Sequence, residues 1–466
     1  MEREGPESCN TYNMLKLAEG LFRINPHARY TDFYERALYN HIRSTQHPEH
    51  GGFVYFTSMR PRHYRNYSTP NNAMWCCVGT GMENHGKYGE FIYAHSGKDL
   101  YVNLFIPSEL NWKEKGIKVT QTNDFPAEEA TTLTFDMKKS NDFTLKIRRP
   151  HWLAVEKPEV FINDKPFTDY SITPDSYITI TRKWKRGDHL RISLPMRNYV
   201  ESMPNVPDYL SILHGPVTLA SRAGTEDLAG LVADDSRWGH IAHGKLLPLY
   251  EAPILNGNKE EVEKRVENMK PIDGKPLHYI VPGIFIQEEY ADLELEPFSG
   301  IHDCRYSLYW QAMDKESYED NMERLALAEK ESLRVDSLTV DMITLGEQQP
   351  EADHQMKEAV SDKGYYENES IRTIHPNGYI TFTLTTDTTS PLSLDLQILG
   401  DDMPVISIDG KEIEAEPSIS LPDAKGFRHA AYRLPEDLGA SAVVTLRPQS
   451  GKRVGGIHAV RLIKCE

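Results

Sequence analysis

The first 95 residues and the rest of the chain differ in how apolar and polar positions alternate. Residues 8–22 place apolar side chains three or four positions apart, which is the spacing of one face of a helix. Two further helices are predicted over residues 30–43 and residues 81–94. The apolar positions of the first helix are Met14, Leu15, Leu17, Ala18, Leu21 and Phe22. We therefore predict a helical, loop-rich N-terminal part.

From about residue 100 apolar and polar positions alternate one by one, as in residues 143–147 and 177–181, which is typical of half-buried strands. The pairs Asn163-Asp164 and Asp409-Gly410 accept positive φ angles and therefore predict hairpins. A densely charged stretch interrupts the alternation near residue 320 and is predicted to be helical. The predicted organisation is a helical part (1–95), a β-sandwich region (96–313), a helical connector (314–335) and a C-terminal β-sandwich (336–466).

Composition and charge narrow the class of protein. Hydrophobic residues make up 39% of the 466 positions, and no apolar run approaches the length of a membrane span. The formal net charge of −17 disfavours nucleic acid as a partner. The first residues carry neither a basic start nor an apolar core, so they do not form a signal peptide. Because a helix begins at about residue 8, we expect the chain to start within a domain.

Cysteines supply the candidate chemistry. Three of the five lie in the helical part, as Cys9 and the adjacent pair Cys76 and Cys77. A disulfide between neighbouring cysteines is strained, whereas two adjacent thiols readily bind one soft metal ion. Glu7 lies two positions before Cys9, so these four side chains form a plausible zinc set. Buried free thiols and a disulfide remain alternatives, because the usual C-x-x-C spacing is absent.

Several segments closely resemble the β-L-arabinofuranosidases of glycoside hydrolase families 127 and 146. They are EGPESCNTYNMLKL, YERALYNHI, GGFVYFTSMRPRHYR and MWCCVGTGMENHGKYGEFIY. The resemblance is dense over residues 4–110. The later segments LSILHGPVTLASR and IHDCRYSLYWQ look like the β modules of the larger bacterial members. The resemblance implies an α+β multidomain protein, in which the C-terminal part of an (α/α)6 barrel is followed by antiparallel β-sandwich domains.

The same resemblance implies a site and a reaction. Zinc would be held by Glu7, Cys9, Cys76 and Cys77, with Cys76 as the nucleophile. A free thiol is mostly protonated at neutral pH, whereas a metal-bound thiol is deprotonated. The thiolate would attack the anomeric carbon, and water would then release L-arabinose with retention. Glu35 matches a family acid that contacts the sugar or shapes its pocket; without the resemblance it would be an ordinary surface acid.

Three thiolates and a carboxylate around one zinc ion leave a net negative charge, so cationic or hydrogen-bonding neighbours are expected. The candidates are Arg60, Arg62, His63 and Arg65, with a solvated basic loop as the alternative. Tyr55 and His63 are candidates for lining the sugar pocket. A second acidic group is predicted to be a polar loop rather than a metal site: Glu347, Glu351, Asp353 and His354.

The family's general acid/base glutamate lies upstream of the Glu-x-Cys step, in a segment that would precede residue 1. We therefore expect a C-terminal part of an enzyme that is nearly inactive alone, with Glu4 as the alternative acid. The implied partners are arabinose-containing plant glycans (arabinan, pectic or hydroxyproline-linked arabinosides), and the implied location is the periplasm or cell surface. Two other classes stay open: a non-catalytic carbohydrate-binding protein with a structural zinc site, and a zinc or redox protein with no sugar role.

Overall fold

A computed structural model of the chain describes residues 3–233, 239–367, 369–414, 417–423 and 425–465. The chain forms two compact units, Met1–Ala326 and Leu327–Glu466. Both helices and mainly antiparallel sheets are present, which confirms the mixed helix and β class. No helix within the described ranges is long and apolar enough to cross a membrane.

Two helices open the first unit, Ser8–Ile24 (α1) and Ala28–Ala37 (α2). Their positions confirm the first two predicted helices. The chain continues from α2 as a π-helical turn over Leu38–Ile42 and a 3-10 turn over Arg43–Thr45. The apolar spacing thus located these elements to within a few residues.

The buried face of α1 is narrower than its apolar pattern suggests. Leu15 and Phe22 are each 2% exposed, and they pack into a core shared with α2. Met14, Leu17 and Leu21 are 42%, 50% and 37% exposed. The periodicity therefore identified the helix but not the width of the face that is covered.

The third helix differs from its prediction. It spans Cys76–Asn84 (α3) rather than residues 81–94, so the prediction of its bounds was wrong. Gly86 and Gly89 follow in turns, and glycine is among the least favourable residues for a helix interior. The chain then enters a strand at Tyr93–Ser96. As a consequence, the vicinal cysteines lie in the first turn of a helix rather than in the loop before it.

A β-sandwich follows the helices. Its strands are Tyr93–Ser96 (β1), Asp99–Val102 (β2), Ser108–Trp112 (β3), Ile117–Thr122 (β4), Ala130–Met137 (β5), Asn141–Arg148 (β6), Val160–Ile162 (β7), Lys165–Pro166 (β8), Ser171–Ile172 (β9), Tyr177–Trp184 (β10) and His189–Ser193 (β11). One sheet has the order β1-β2-β6-β10-β9 and the other β3-β4-β5-β11-β7-β8. Apolar side chains from both sheets form one core. Asn163 and Asp164 have φ angles of 51° and 61° between β7 and β8, which confirms the predicted hairpin.

A third sheet completes the first unit. Its strands are Asn198–Met203 (β12), Val206–His214 (β13), Val217–Arg222 (β14), Leu255–Asn256 (β15), Glu296–Pro297 (β18), Tyr306–Ser307 (β19) and Trp310–Met313 (β20). The helix Lys259–Val266 (α4) and a separate two-stranded sheet of Lys270–Pro271 (β16) and Tyr279–Ile280 (β17) lie between β15 and β18 in the sequence. The sheet has the order β15-β20-β13-β14-β18, with β12 beside β13 and β19 beside β14. Long loops between these strands reach the helical part, as described below.

The helix Tyr318–Leu338 (α5) confirms the helical character predicted for the charged stretch. The second unit further contains Thr339–Thr344 (β21), Gln348–Asp353 (α6), Lys357–Tyr366 (β22), Glu369–Thr385 (β23), Leu392–Leu399 (β24), Val405–Ile408 (β25), Lys411–Glu412 (β26), Ser418–Ile419 (β27), Phe427–Arg433 (β28), Ser441–Arg447 (β29) and Val454–Lys464 (β30). The hydrogen-bonded order is β26-β25-β29-β23-β30-β24-β28-β27. These strands enclose a core of their own. Asp409 and Gly410 form the predicted turn between β25 and β26, with φ angles of 51° and 80°.

Candidate metal and catalytic site

Four predicted ligands meet at the N-terminal ends of two helices. Glu7 is the N-cap residue of α1, and Cys9 lies in the first turn of that helix. Cys76 and Cys77 open α3. One ligand atom from each of these residues lies within 4.8 Å of the others. The fold therefore brings together two sequence motifs that are almost 70 positions apart.

Backbone contacts fix the start of α1 beside residues 54–57. The Ser8 amide donates to the Tyr55 carbonyl oxygen at 3.0 Å, and the Ser8 hydroxyl donates to the Val54 carbonyl oxygen at 3.0 Å. Glu7 makes no side-chain capping bond to its own helix. Its carboxylate instead lies with the cysteines, where Oε1 is 3.5 Å from the Cys76 sulfur and 3.6 Å from the Cys77 sulfur.

Three of four separations within the cluster are close to those around a tetrahedral zinc ion, and the Cys9–Cys77 separation is shorter. The sulfurs of Cys76 and Cys77 are 3.9 Å apart, and those of Cys9 and Cys77 are 3.2 Å apart. Zinc bound at ~2.3 Å to sulfur and ~2.1 Å to oxygen would place two sulfurs ~3.8 Å apart and a sulfur and an oxygen ~3.6 Å apart. All five cysteines are free, so the disulfide alternative is wrong for this structure. The donor set fits a soft divalent metal.

The protonation of the three thiols is uneven. A hydrogen bond from Cys77 lowers the pKa of Cys9 to about 7, whereas the same bond and burial raise the pKa of Cys77. Burial also raises the pKa of Cys76. Without a metal ion, Cys9 is therefore the thiol of the three that loses its proton most readily, while the hydrogen bond to Cys9 and burial favour the protonated form of Cys77, and burial favours that of Cys76. A divalent cation bound between the three sulfurs would instead favour the deprotonated form of each thiol.

Exposure distinguishes the three cysteines. Cys76 is exposed, Cys9 is half-buried and Cys77 is only 1% exposed. The Cys76 thiol is 3.6 Å from the Tyr55 hydroxyl oxygen. Cys76 is thus the thiol that a molecule in solvent can reach, and Tyr55 lies beside it.

An aromatic wall backs the cluster. The ring of His240 lies 4.5 Å from the ring of Tyr55, 5.7 Å from Phe56 and 5.9 Å from Trp75. Tyr55, Trp75 and Cys77 also share a small buried core with Phe53. His240 belongs to the long loop after β14 and was missed by sequence reasoning, because nothing in its local sequence marks it. Only the tertiary fold brings it to the helical part.

The basic run is buried rather than solvated, so the alternative of a solvated loop is wrong. Arg60, His63 and Arg65 are 5%, 1% and 3% exposed. Arg60 donates to the Leu247 carbonyl oxygen at 2.9 Å, and His63 Nε2 lies 3.0 Å from the Ala242 carbonyl oxygen. Burial lowers the pKa of His63 to about 3, so its imidazole is neutral. Arg60 and His63 thus hold the loop that carries His240.

Arg62 differs from its neighbours in pairing with a carboxylate. Its guanidinium is 3.1 Å from Glu251. Arg65 donates to the Ile301 carbonyl oxygen and stacks on the Phe298 ring, 4.5 Å from its centre. The run therefore binds segments of the third sheet's loops along its whole length.

Glu35 lies in a buried ion pair. It is 0% exposed, accepts a hydrogen bond from Arg148, and accepts another from Trp152 Nε1 at 2.7 Å. Arg148 also pairs with Asp32 and donates to the Asn103 carbonyl oxygen at 2.7 Å. Burial raises the pKa of Glu35 despite the neighbouring Arg148. The alternative of an ordinary surface acid is therefore wrong, and the contacts connect α2 to the sandwich.

The second acidic group forms ion pairs with cations. Glu351 pairs with Arg372 and with Lys363, both at 2.7 Å, and His354 lies 3.2 Å from Asp341. Among the residues that the structure describes, a metal-type cluster occurs only at Glu7 and the three cysteines. Glu351 and Asp353 lie in the short helix α6, with Glu347 and His354 at its two ends, so the predicted polar loop is wrong.

Comparison with protein families matches the chain in consecutive segments. The catalytic domain of GH127 β-L-arabinofuranosidases matches residues 1–90, and the middle domain of the same enzymes matches residues 99–196. A domain of unknown function matches residues 199–312, and a family of unknown function matches residues 334–463. No curated protein gives a significant match.

Solved structures of GH127 enzymes are similar over two thirds of this chain. A β-L-arabinofuranosidase from Geobacillus stearothermophilus T6 has 16% identity and a TM-score of 0.49, covering 66% of this chain and 50% of its own. A second GH127 β-arabinofuranosidase has 20% identity and a TM-score of 0.47, covering 66% and 49%. The chain spans about half the length of these structures.

Proposed function

We propose, from the premise that this chain belongs to the GH127 β-L-arabinofuranosidase family over residues 1–90 and 99–196, that it is a retaining glycoside hydrolase. It would release L-arabinose from β-L-arabinofuranosides, with Cys76 as nucleophile. The observation that carries the proposal is the cluster of Glu7, Cys9, Cys76 and Cys77, whose ligand atoms lie within 4.8 Å of one another. The helices before the sandwich would belong to an (α/α)6 barrel.

Exposure supports Cys76 as the nucleophile. A nucleophile must reach the anomeric carbon, and Cys76 is the exposed thiol of the three, whereas Cys77 is buried. Zn²⁺ held by Glu7 and the cysteines would supply the charge that keeps the Cys76 sulfur deprotonated. The first turn of α3 contributes in the same direction, because its free amides carry partial positive charge.

The proposed reaction is a double displacement. The Cys76 sulfur forms a bond to the anomeric carbon while the bond from that carbon to the leaving oxygen breaks, and the leaving oxygen takes a proton. Water then attacks the same carbon, gives up a proton, and returns the electron pair to sulfur. Two inversions give net retention, as in glycosidases with a carboxylate nucleophile. Tyr55 would orient the thiol through its hydroxyl, which lies 3.6 Å from the sulfur.

Glu35 is proposed as a positioning residue. Contact with a sugar would require its carboxylate to leave both Arg148 and Trp152, in a place with no exposure to solvent. Its ion pair instead connects α2 to the sandwich. The natural substrates would be arabinose-containing plant glycans, in arabinan, pectin or hydroxyproline-linked arabinosides. A periplasmic or cell-surface location would give access to such glycans.

Metal content tests the cluster directly. We expect about one zinc ion per wild-type chain and loss of that zinc in a Cys9→Ser, Cys77→Ser double variant. Cys304→Ser is the matched control, because Cys304 is also buried and free but lies outside the cluster. Equal zinc in the wild type and the double variant would disprove the ligand set.

An activated substrate tests the nucleophile without depending on an acid catalyst. The nitrophenolate of 4-nitrophenyl β-L-arabinofuranoside leaves without being protonated, so the first displacement needs only the thiolate. We expect a pentosyl adduct on Cys76 by mass spectrometry, and none in Cys76→Ser. Full zinc occupancy with no adduct and no release of nitrophenol would favour a carbohydrate-binding protein with a structural zinc site.

A further inference from the structure

A cavity of about 220 Å³ lies between the first two helices and the third sheet. Thr11 of α1, Phe33 and Arg36 of α2, and Ser211 of β13 contribute to its lining. Its volume is far above the ~10–15 Å³ that one buried water needs, and somewhat below the ~300–1,000 Å³ of pockets for drug-sized ligands. The cavity shares no lining residue with the cysteine cluster.

Within the described part of the chain, three polar groups of this lining have no hydrogen-bond partner. They are the hydroxyls of Thr57 and Ser211 and the Nε2 atom of His41. Thr57 and Ser211 are each 1% exposed, so their hydroxyls lie away from the outer surface of the protein. Buried polar groups are nearly always hydrogen-bonded, and leaving three of them unpaired in one cavity is costly. The arrangement therefore calls for a polar occupant.

Other polar groups of the lining are already satisfied. The His41 Nδ1 atom is 2.8 Å from the Thr11 hydroxyl. The Asn40 amide nitrogen donates to the Arg36 and Pro216 carbonyl oxygens, both at 2.8 Å. The three unpaired groups therefore differ from Thr11, Asn40 and the Nδ1 atom of His41, which have partners within the protein.

Charge decides the chemical class of the occupant. Among the residues that the structure describes, no carboxylate lines the cavity, and the one guanidinium there, that of Arg36, is paired with Glu201. Burial lowers the pKa of His41 to about 4, so its imidazole is neutral near pH 7. An anion finds no free cation here, and a cation finds no counter-ion. Aromatic faces at Phe33 and Phe298 add apolar wall.

We propose that this cavity binds one small, neutral, polyhydroxylated molecule of about the size of a pentose. Its hydroxyls would pair with Thr57, Ser211 and His41, since a hydroxyl donates and accepts and so suits either tautomer of the imidazole. Its carbon face would lie against the aromatic rings, as sugars commonly do. This second site goes beyond the proposed hydrolysis and does not depend on it.

Isothermal titration of the full chain with L-arabinose tests the proposal, with inorganic phosphate as a charged probe. We expect L-arabinose to bind at millimolar concentration and phosphate not to bind. In a Thr57→Val, Ser211→Ala double variant, the affinity for L-arabinose should fall about tenfold or more, because two hydrogen bonds are lost. A Cys76→Ser variant should bind as the wild type does, which separates this site from the cysteine cluster.

Thermal unfolding separates lost binding from a damaged fold. Removing hydroxyls that have no partner should leave the unfolding midpoint of the double variant unchanged or higher. Thr31→Val is the matched control: Thr31 is 0% exposed, but its hydroxyl donates to the Ala28 carbonyl oxygen at 2.8 Å. Thr31→Val should lower the midpoint and keep binding.

The proposal is overturned if wild-type protein does not bind L-arabinose, or if Thr57→Val, Ser211→Ala binds it equally well. Phosphate binding as strong as that of L-arabinose would also overturn it. Should the double variant fail to fold, Ser211→Ala alone can be compared with the wild type, with a smaller expected loss of affinity for L-arabinose. Loss of binding in Cys76→Ser would place the sugar at the cysteine cluster and refute the second site.

Discussion

Replacing Glu35 by glutamine removes one negative charge from a buried network without changing the size of the side chain. In the native protein the carboxylate accepts from Arg148 and from Trp152 Nε1, and both Glu35 and Arg148 are 0% exposed. An amide can accept through only one of its two terminal atoms. Glu35→Gln therefore turns an amide NH₂ group towards one of two buried donors and leaves Arg148 with Asp32 as its only carboxylate partner.

The expected loss of stability follows from burial. Removing one partner of a buried ion pair costs ~3–5 kcal/mol. Asp32 still pairs with Arg148, so the lower end of about 3 kcal/mol applies. The first unit spans Met1–Ala326. With an unfolding entropy of ~2.1 cal/mol/K per residue, a unit of this length loses about 4–5 °C in its unfolding midpoint.

Tryptophan fluorescence is a suitable readout, because the Glu35 partner Trp152 is itself 0% exposed. Asp99→Asn is the matched control: Asp99 pairs with Lys146 at 3.1 Å, but their side chains are 32% and 17% exposed. This half-exposed pair should contribute ~1 kcal/mol or less. An unchanged midpoint in Glu35→Gln, together with a raised KM for an aryl arabinofuranoside, would refute the positioning role and support direct sugar contact.

Three further outcomes are expected. In an unfolding assay, Gly81→Ala should destabilise α3 by ~1–3 kcal/mol and weaken zinc retention, because the new methyl carbon would lie 2.3 Å from the Phe53 ring. The control is Gly79→Ala, whose methyl carbon would meet nothing within 4 Å. This variant should be neutral or stabilising in the same assay. Removing zinc with a chelator should lower the unfolding midpoint, since a ligand at a thousand times its Kd contributes ~4 kcal/mol. Burial lowers the pKa of His354, but its hydrogen bond to Asp341 outweighs burial and raises it. Because the pKa of Asp341 is lowered, the pair stabilises the fold fully between about pH 4 and 6.5 and less outside that range. In His354→Gln the loss of stability above about pH 6.5 should disappear, whereas the loss below about pH 4 should persist in part, because the Met342 and Thr385 amides also donate to Asp341.

Local sequence patterns predicted the elements whose signals are local. Three- and four-residue spacing located α1 and α2, because one face of each helix is buried. The pairs Asn163-Asp164 and Asp409-Gly410 located two hairpins, because these residues accept the positive φ angles of a tight turn. The third helix was misplaced because apolar spacing continued past Gly86, where the backbone had already turned. Spacing also could not show that only part of the apolar face of α1 is covered, since that depends on tertiary packing.

The cysteine cluster could be predicted from the sequence for a chemical reason. Adjacent thiols and a Glu-x-Cys step combine rare residue types, and few structural roles require them. Glu35 is the opposite case, because an acid on a helix looks like a solvated residue until Arg148 is seen to be its partner, more than 100 positions away. His240 likewise reaches Tyr55 only through tertiary contact.

The basic run at residues 60–65 has a physical explanation in the backbone that it faces. The loop that carries His240 has little regular secondary structure, so its carbonyl oxygens need partners from elsewhere when buried. Arg60 and His63 supply partners to carbonyl oxygens at Leu247 and Ala242, each within 3.0 Å. Long guanidinium and imidazole side chains can do this across a gap that a backbone amide cannot span. The basic run thus fixes a loop that is distant in sequence. Because this loop carries His240, the run also shapes the aromatic wall beside Tyr55.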